Sequence, residues 1–183
     1  MAYDMKSVFY LDTQIATTTS AGDGIATLDL SSYVDPIARG RSKGQGLAIY
    51  KVHWDVSTTA DNSPVAAATT GTFRAGLSSI SGAPAAAVGS AAITAQTLNS
   101  GNDLMVAGFD FYGGGTAAGD PAPNVWLEPS EKVPYIVVRD QVVLMIDVST
   151  AMSVASTVNC RLECAIVTLA QSTLNQLLRT QTV

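Results

Sequence analysis

Residues 135–148, YIVVRDQVVLMIDV, form the longest apolar run in the chain. Their β-branched members Ile136, Val137, Val138, Val142, Val143, Ile146 and Val148 suit a pleated surface better than a helix. Arg139, Asp140 and Gln141 interrupt the run. It reads either as two short buried strands about a tight polar turn, or as one long strand bent at a bulge. Apolar residues on both faces mark strands enclosed between layers. No chemistry is visible here, so the sequence speaks first about architecture.

Working outward, residues 154–169 read as a last strand. Val158, Cys160, Leu162, Cys164 and Ile166 share one face by period-two alternation. Cysteines four apart on a strand are about 13 Å apart, too far for a disulfide, which needs Cα atoms within about 7 Å. Both read as small buried hydrophobes; a helix would bring them together as a metal or redox pair. After them the period changes. Leu174, Leu177 and Leu178 stand at i, i+3 and i+4, which predicts a short C-terminal helix or arm that caps the sandwich or docks on a neighbour.

Upstream, residues 7–16 alternate with Phe9, Leu11, Thr13 and Ile15 on one face. Residues 25–34 follow, with Leu28, Leu30 and Val34 together, ending at Asp35-Pro36. Residues 45–58 place Ala48, Tyr50, Val52, Trp54 and Val56 on one side and Lys51, His53 and Asp55 on the other. Residues 71–79 turn Phe73, Ala75 and Leu77 inward. Residues 104–112 align Met105, Ala107, Phe109 and Phe111, and residues 93–98 suggest a shorter strand. Ala/Gly/Pro/Ser sequence fills residues 80–92. A Gly/Pro/Ala loop occupies 113–124, and Trp126 precedes a turn at 128–131.

Charged residues make up only 14% of the chain, against roughly 25% in ordinary soluble domains. Such a surface is small and neutral, or covered by neighbours. A net charge of −5 argues against a protein that neutralises phosphates. The one basic cluster, Arg39, Arg41 and Lys43 among glycines, is a charge contact or simply a solvated loop. It lacks the Gly-x4-Gly-Lys-Ser/Thr pattern of a phosphate loop, and so does the triple glycine at 113–115. His53 is the single histidine. Lys51 and Asp55 beside it suggest a surface charge ladder rather than a general base or metal ligand. Asp29, Asp55, Asp110 and Asp147 are the carboxylates that could meet in space, and nothing in the sequence selects a pair. No apolar run is long enough to span a bilayer. The first residues show no signal peptide, so nothing in them marks the chain for Sec export.

Many short strands between Gly/Pro/Ala/Ser loops mean an all-β sandwich or barrel. The strands IATLDLSSYV and GLAIYKVHWDV flanking a basic loop, the run YIVVRDQVVLMIDV and the last strand VNCRLECAIVTLA together resemble the small single jelly-roll capsid proteins of icosahedral viruses. The resemblance covers most of the chain as strand order and composition. It implies a single jelly-roll β-sandwich of about eight strands over residues 1–183, with 170–183 as a C-terminal helix or arm. It implies a structural capsid protein and not an enzyme, without catalytic residues, metal or cofactor, self-assembling as a homo-oligomer into a virion shell. Arg39, Arg41, Lys43, Tyr112, Trp126, Leu174, Leu177 and Leu178 are then the candidate contacts between subunits. Many such proteins carry an Arg/Lys-rich N-terminal arm, whereas the first 38 residues here hold Lys6 and no Arg. In type the chain is therefore nearer to the jelly-roll subunits of membrane-containing double-stranded DNA viruses of prokaryotes. That likeness leaves room for a second capsid protein and an internal membrane as partners, with no sequence-specific nucleic-acid binding. The alternative is a carbohydrate-binding or adhesin-like β-sandwich, which would expose aromatic residues on one face.

Overall fold

The computed structural model describes residues 8–17, 21–35, 43–66, 68–80, 98–113 and 122–181. The basic residues Arg39 and Arg41, the Ala-rich stretch, the strand expected at 93–98 save Leu98, and most of the 113–124 loop lie outside them. Among the described residues the strands are β1 (Val8–Ala16), β2 (Gly22–Asp29), β3 (Lys43–Thr58), β4 (Thr72–Ser78), β5 (Met105–Tyr112), β6 (Ala122–Leu127), β7 (Tyr135–Val137), β8 (Gln141–Thr150) and β9 (Ser156–Ala170). One helix, α1 (Gln171–Thr180), follows.

The strands form two sheets, in the orders β1-β9-β3-β7 and β2-β8-β4-β5-β6. Every pairing is antiparallel. Successive strands alternate between layers except at β4, β5 and β6, which are neighbours. This is the order of a jelly roll, with β6 added at one edge. The run at 135–148 is thus two strands, but not a hairpin. β7 belongs to one sheet and β8 to the other, and Val138, Arg139 and Asp140 are the corner between them.

Inward-facing residues of both sheets build the core: Leu47, Ile49, Val52, Leu162 and Cys164 from one, Leu77, Ala107, Val142 and Leu144 from the other. Toward one end the core turns aromatic. Trp54 lies 4.7 Å from Phe109 between ring centroids, Phe73 meets Phe109 edge-on, and Phe73 stacks on Phe111 at 5.0 Å.

β1 and β4 follow the alternation expected of them. Other strands depart from it for identifiable reasons. β3 has a bulge, because Ile49 pairs with Cys164 and Lys51 with the next residue, Glu163. Tyr50 is the extra residue, and it flips the alternation. Leu47 and Ile49, not Ala48 and Tyr50, therefore face the core together with Val52 and Trp54. β2 stops at Asp29, whose carboxylate accepts a 2.8 Å bond from the Ser31 amide. That Asx turn, with Val34 donating to the Leu30 carbonyl, delivers Leu30 and Val34 to the core from a turn. A bulge at Val106 places Met105 on the outer side, with Leu98, Val143 and Met145. Ile166 is 43% exposed instead of inward.

α1 caps the sandwich. Leu174 is fully buried with Val138 and Leu169, and Leu177 and Leu178 pack around them. A side chain at Gly44 would collide with Leu174, so the close approach of helix to strand requires glycine there. Just past the helix, Gln181 closes the corner. Its side chain accepts from the Val138 amide at 3.1 Å and donates to the Ile136 carbonyl at 2.7 Å. Its own carbonyl accepts from Arg139 Nε at 3.0 Å. A buried edge is thereby satisfied by a side-chain amide acting as a short strand.

Candidate functional site: the two outer sheet faces

Outward-pointing residues form cross-strand rows, because register sets which side chains stand opposite one another. On the four-stranded sheet the rows are Tyr10–Glu163–Lys51, Asp12–Arg161–His53 and Gln14–Asn159–Asp55. His53 Nε2 is 3.7 Å from a Glu163 oxygen. Asn159 donates to Asp55 at 3.1 Å. The charge ladder expected around His53 is present, and its members are mostly exposed.

The five-stranded sheet carries a longer row, Asp23–Asp147–Arg74–Asp110–Asn124. Arg74 grips Asp110 with both ends of its fork: Nε donates at 2.7 Å and Nη2 at 2.9 Å. Asp110 is only 8% exposed, so this pair is well shielded on the carboxylate side. The guanidinium also lies 5.4 Å from the centre of the Trp126 ring. Trp126 is the bulged residue of β6, since Phe109 pairs with Val125 and Gly108 with Leu127. Its ring lies over Gly108, where any side chain would strike three ring atoms.

Asp147 has a different environment. Burial and the Asp23 carboxylate directly opposite raise its pKa, and Arg74 only partly offsets them. A recess of about 230 Å³ opens over this row, lined by Thr72, Arg74, Asp110, Tyr112, Asp147 and Ser149, with Phe73 and Phe111 at its base. Tyr112 is 49% exposed, and its hydroxyl donates to Asp110 at 3.4 Å. Thr72 and Ser149 share a 2.8 Å hydroxyl bond at the rim.

The residues expected at subunit contacts are thus scattered. Lys43 is exposed at the first position of β3, near α1; Tyr112 and Trp126 sit on the five-stranded face; Leu174 lies inside its own chain. Of the four candidate carboxylates, Asp110 and Asp147 flank Arg74, while Asp29 and Asp55 bond elsewhere. The sequence carried no sign that Arg74 joins them, because its partner comes from 36 residues away. Cys160 and Cys164 are free thiols in the core. Burial, helped by Glu163, pushes the Cys164 thiol up to about 12. Among the described residues no group of three or more His, Cys, Asp or Glu side chains is placed to hold a metal ion, and no helix is long and apolar enough to cross a membrane.

No family model and no curated protein matches this sequence. Solved structures with a similar chain course include VP1 of Trichodysplasia spinulosa-associated polyomavirus in complex with GM1 oligosaccharide. It shares 9% identity at a TM-score of 0.46, over 92% of this chain and 96% of that one. Merkel cell polyomavirus VP1 in complex with disialyllactose also shares 9%, at a TM-score of 0.31, over 91% and 97%.

Proposed function

We propose that this chain is a structural capsid protein that assembles with copies of itself into an icosahedral viral shell, and that it is not an enzyme. The observation that carries the reading is the jelly-roll strand order, joined to a chain of low charge density. In this reading the sandwich is the rigid brick, and neighbours meet through its side faces and loops, burying on the order of 1,000 Å² or more at each contact. Lys43, Tyr112 and Trp126, with Arg39 and Arg41, are the proposed contact residues. Leu177 and Leu178 contribute through the rim of the α1 cluster, whereas Leu174 acts within its own subunit. The protein is made in the host cytoplasm and belongs to a virion, and the reading leaves room for a second capsid protein and an internal membrane as further partners.

Light scattering of the purified protein across a concentration and salt series, with negative-stain images of the same samples, tests this. Regular shells, or ring oligomers of capsomer size, are expected. A monomer under every condition, including with anionic vesicles added, overturns it. The second reading, a carbohydrate-binding module, would expose several aromatic residues on one face. Among the described residues each face presents one exposed tyrosine, Tyr10 or Tyr112, and Tyr112 lines a recess of mixed donors and acceptors.

A further inference from the structure

We infer that the recess over Asp147, Arg74 and Asp110 is a binding site for a neutral carbohydrate, one sugar ring seated across β8, β4 and β5 against Tyr112. An anion meets carboxylates on both sides of Arg74, and the charge of that guanidinium is already offset by Asp110, although not all of its N–H groups are spent there. A cation would have to lie beside the Arg74 guanidinium, at the centre of the row. An apolar ligand would bury carboxylate and hydroxyl groups without partners.

A hydroxyl both donates and accepts, and a polyol presents several of them. The row offers acceptor, donor, acceptor in sequence: Asp147, Arg74, Asp110. Adjacent strand backbones lie about 4.8 Å apart, so the row from Asp147 to Asp110 crosses three strands. Asp147 is the open position. It receives no strong bond from Arg74, and the Asp23 carboxylate opposite takes up only part of its hydrogen-bonding capacity, so a ligand hydroxyl can donate to its remaining lone pairs. The Tyr112 ring, half exposed beside the row, supplies an apolar wall for the C–H face of a sugar. Thr72 and Ser149, bonded to each other, add two adaptable hydroxyls at the rim. Asp110, anchored by Arg74 and reached by the Tyr112 hydroxyl, keeps the floor rigid. This preorganisation lowers the cost of binding a small polar ligand. The recess lies within one subunit, and Tyr112 is also among the proposed contact residues, so a neighbouring subunit and a sugar would compete for its ring; failure of sugar binding leaves the shell reading standing.

Saturation-transfer difference NMR tests it, because the method works on the full chain whether monomeric or assembled. The probes are glucose, galactose, N-acetylglucosamine, lactose and maltose, with 3′-sialyllactose as an anionic sugar and putrescine as a cation. At least one neutral sugar is expected to give saturable transfer, with affinity falling about tenfold or more in Tyr112→Ala and in Asp147→Asn. Tyr10→Ala, on the opposite face, leaves the signal unchanged. If Tyr112→Ala fails to fold by circular dichroism, Asp147→Asn still decides the matter. No transfer from any neutral sugar overturns the proposal, as does transfer indifferent to both recess variants. Tighter binding of sialyllactose than of lactose, or binding of putrescine alone, also overturns it by showing an anion or cation site.

Discussion

The two outer faces of the sandwich are built from the same alternating sequence pattern, yet they behave as different materials. On the four-stranded face each charge has an opposite or neutral neighbour, and Lys51, His53 and Asp55 stand in water. On the five-stranded face one arginine is locked to a nearly buried aspartate beneath a tryptophan, and a second aspartate is left facing a third. The difference arises from register. Which charge meets which is decided by the strand that arrives alongside, not by the spacing of charges along either strand. One face is therefore a solvated ladder and the other a structured site.

The sharpest way to break this comparison is at Gly108. Gly108→Ala forces the Trp126 ring off the sheet and is expected to cost about 2–3 kcal/mol in urea denaturation. Tryptophan fluorescence should shift toward that of a more exposed ring. Arg74→Ala comes next. Losing one partner of a fully buried ion pair costs about 3–5 kcal/mol, and the exposure of Arg74 reduces this to about 2 kcal/mol. Arg161→Ala, the equivalent change on the other face, is expected to stay within about 0.5 kcal/mol. Equal effects of the two arginine variants would erase the distinction between the faces.

A smaller effect sharpens it. Asp147→Asn should stabilise the protein by about 0.5 kcal/mol at neutral pH, since it removes like charges directly opposite each other. The pH dependence has a definite sign. The folded state holds the Asp147 proton to higher pH than the unfolded chain does, so stability declines as pH rises above the ordinary value of 3.8. Asn at this position removes that decline. Asp61 acts in the opposite sense. Hydrogen bonds from Thr58 and Ser63 hold it at about 2, so its contribution is present above 3.8 and is lost as pH falls toward about 2. Denaturation midpoints of wild type, Asp147→Asn and Asp61→Asn at roughly pH 2, pH 4 and pH 7 check both signs.

Much of the fold was legible in period-two alternation. Phe9, Leu11 and Ile15 on β1, and Phe73, Ala75 and Leu77 on β4, face where the pattern puts them, because these strands are regular along those residues. Tyr50, Val106 and Trp126 are where the pattern fails. Each is the extra residue of a bulge, and a bulge is a property of two strands that one strand does not announce. β6 was hidden for a related reason. It is short, begins Ala-Pro, and reads as the end of a loop until β5 is beside it. The recess was the least legible part. Its side chains come from β4, β5 and β8, and no local spacing connects them.

β9 pairs with β1 on one side and with β3 on the other. In a chain emerging from the ribosome, the earliest strand therefore waits for one of the latest before it gains a hydrogen-bonded neighbour in its sheet. A chain stopped before Ser156 has no four-stranded sheet, and the β3 edge that β9 would cover remains open to aggregation. Completion of translation and completion of the sheet are thus coupled: only chains translated through β9 acquire the outer face of the four-stranded sheet.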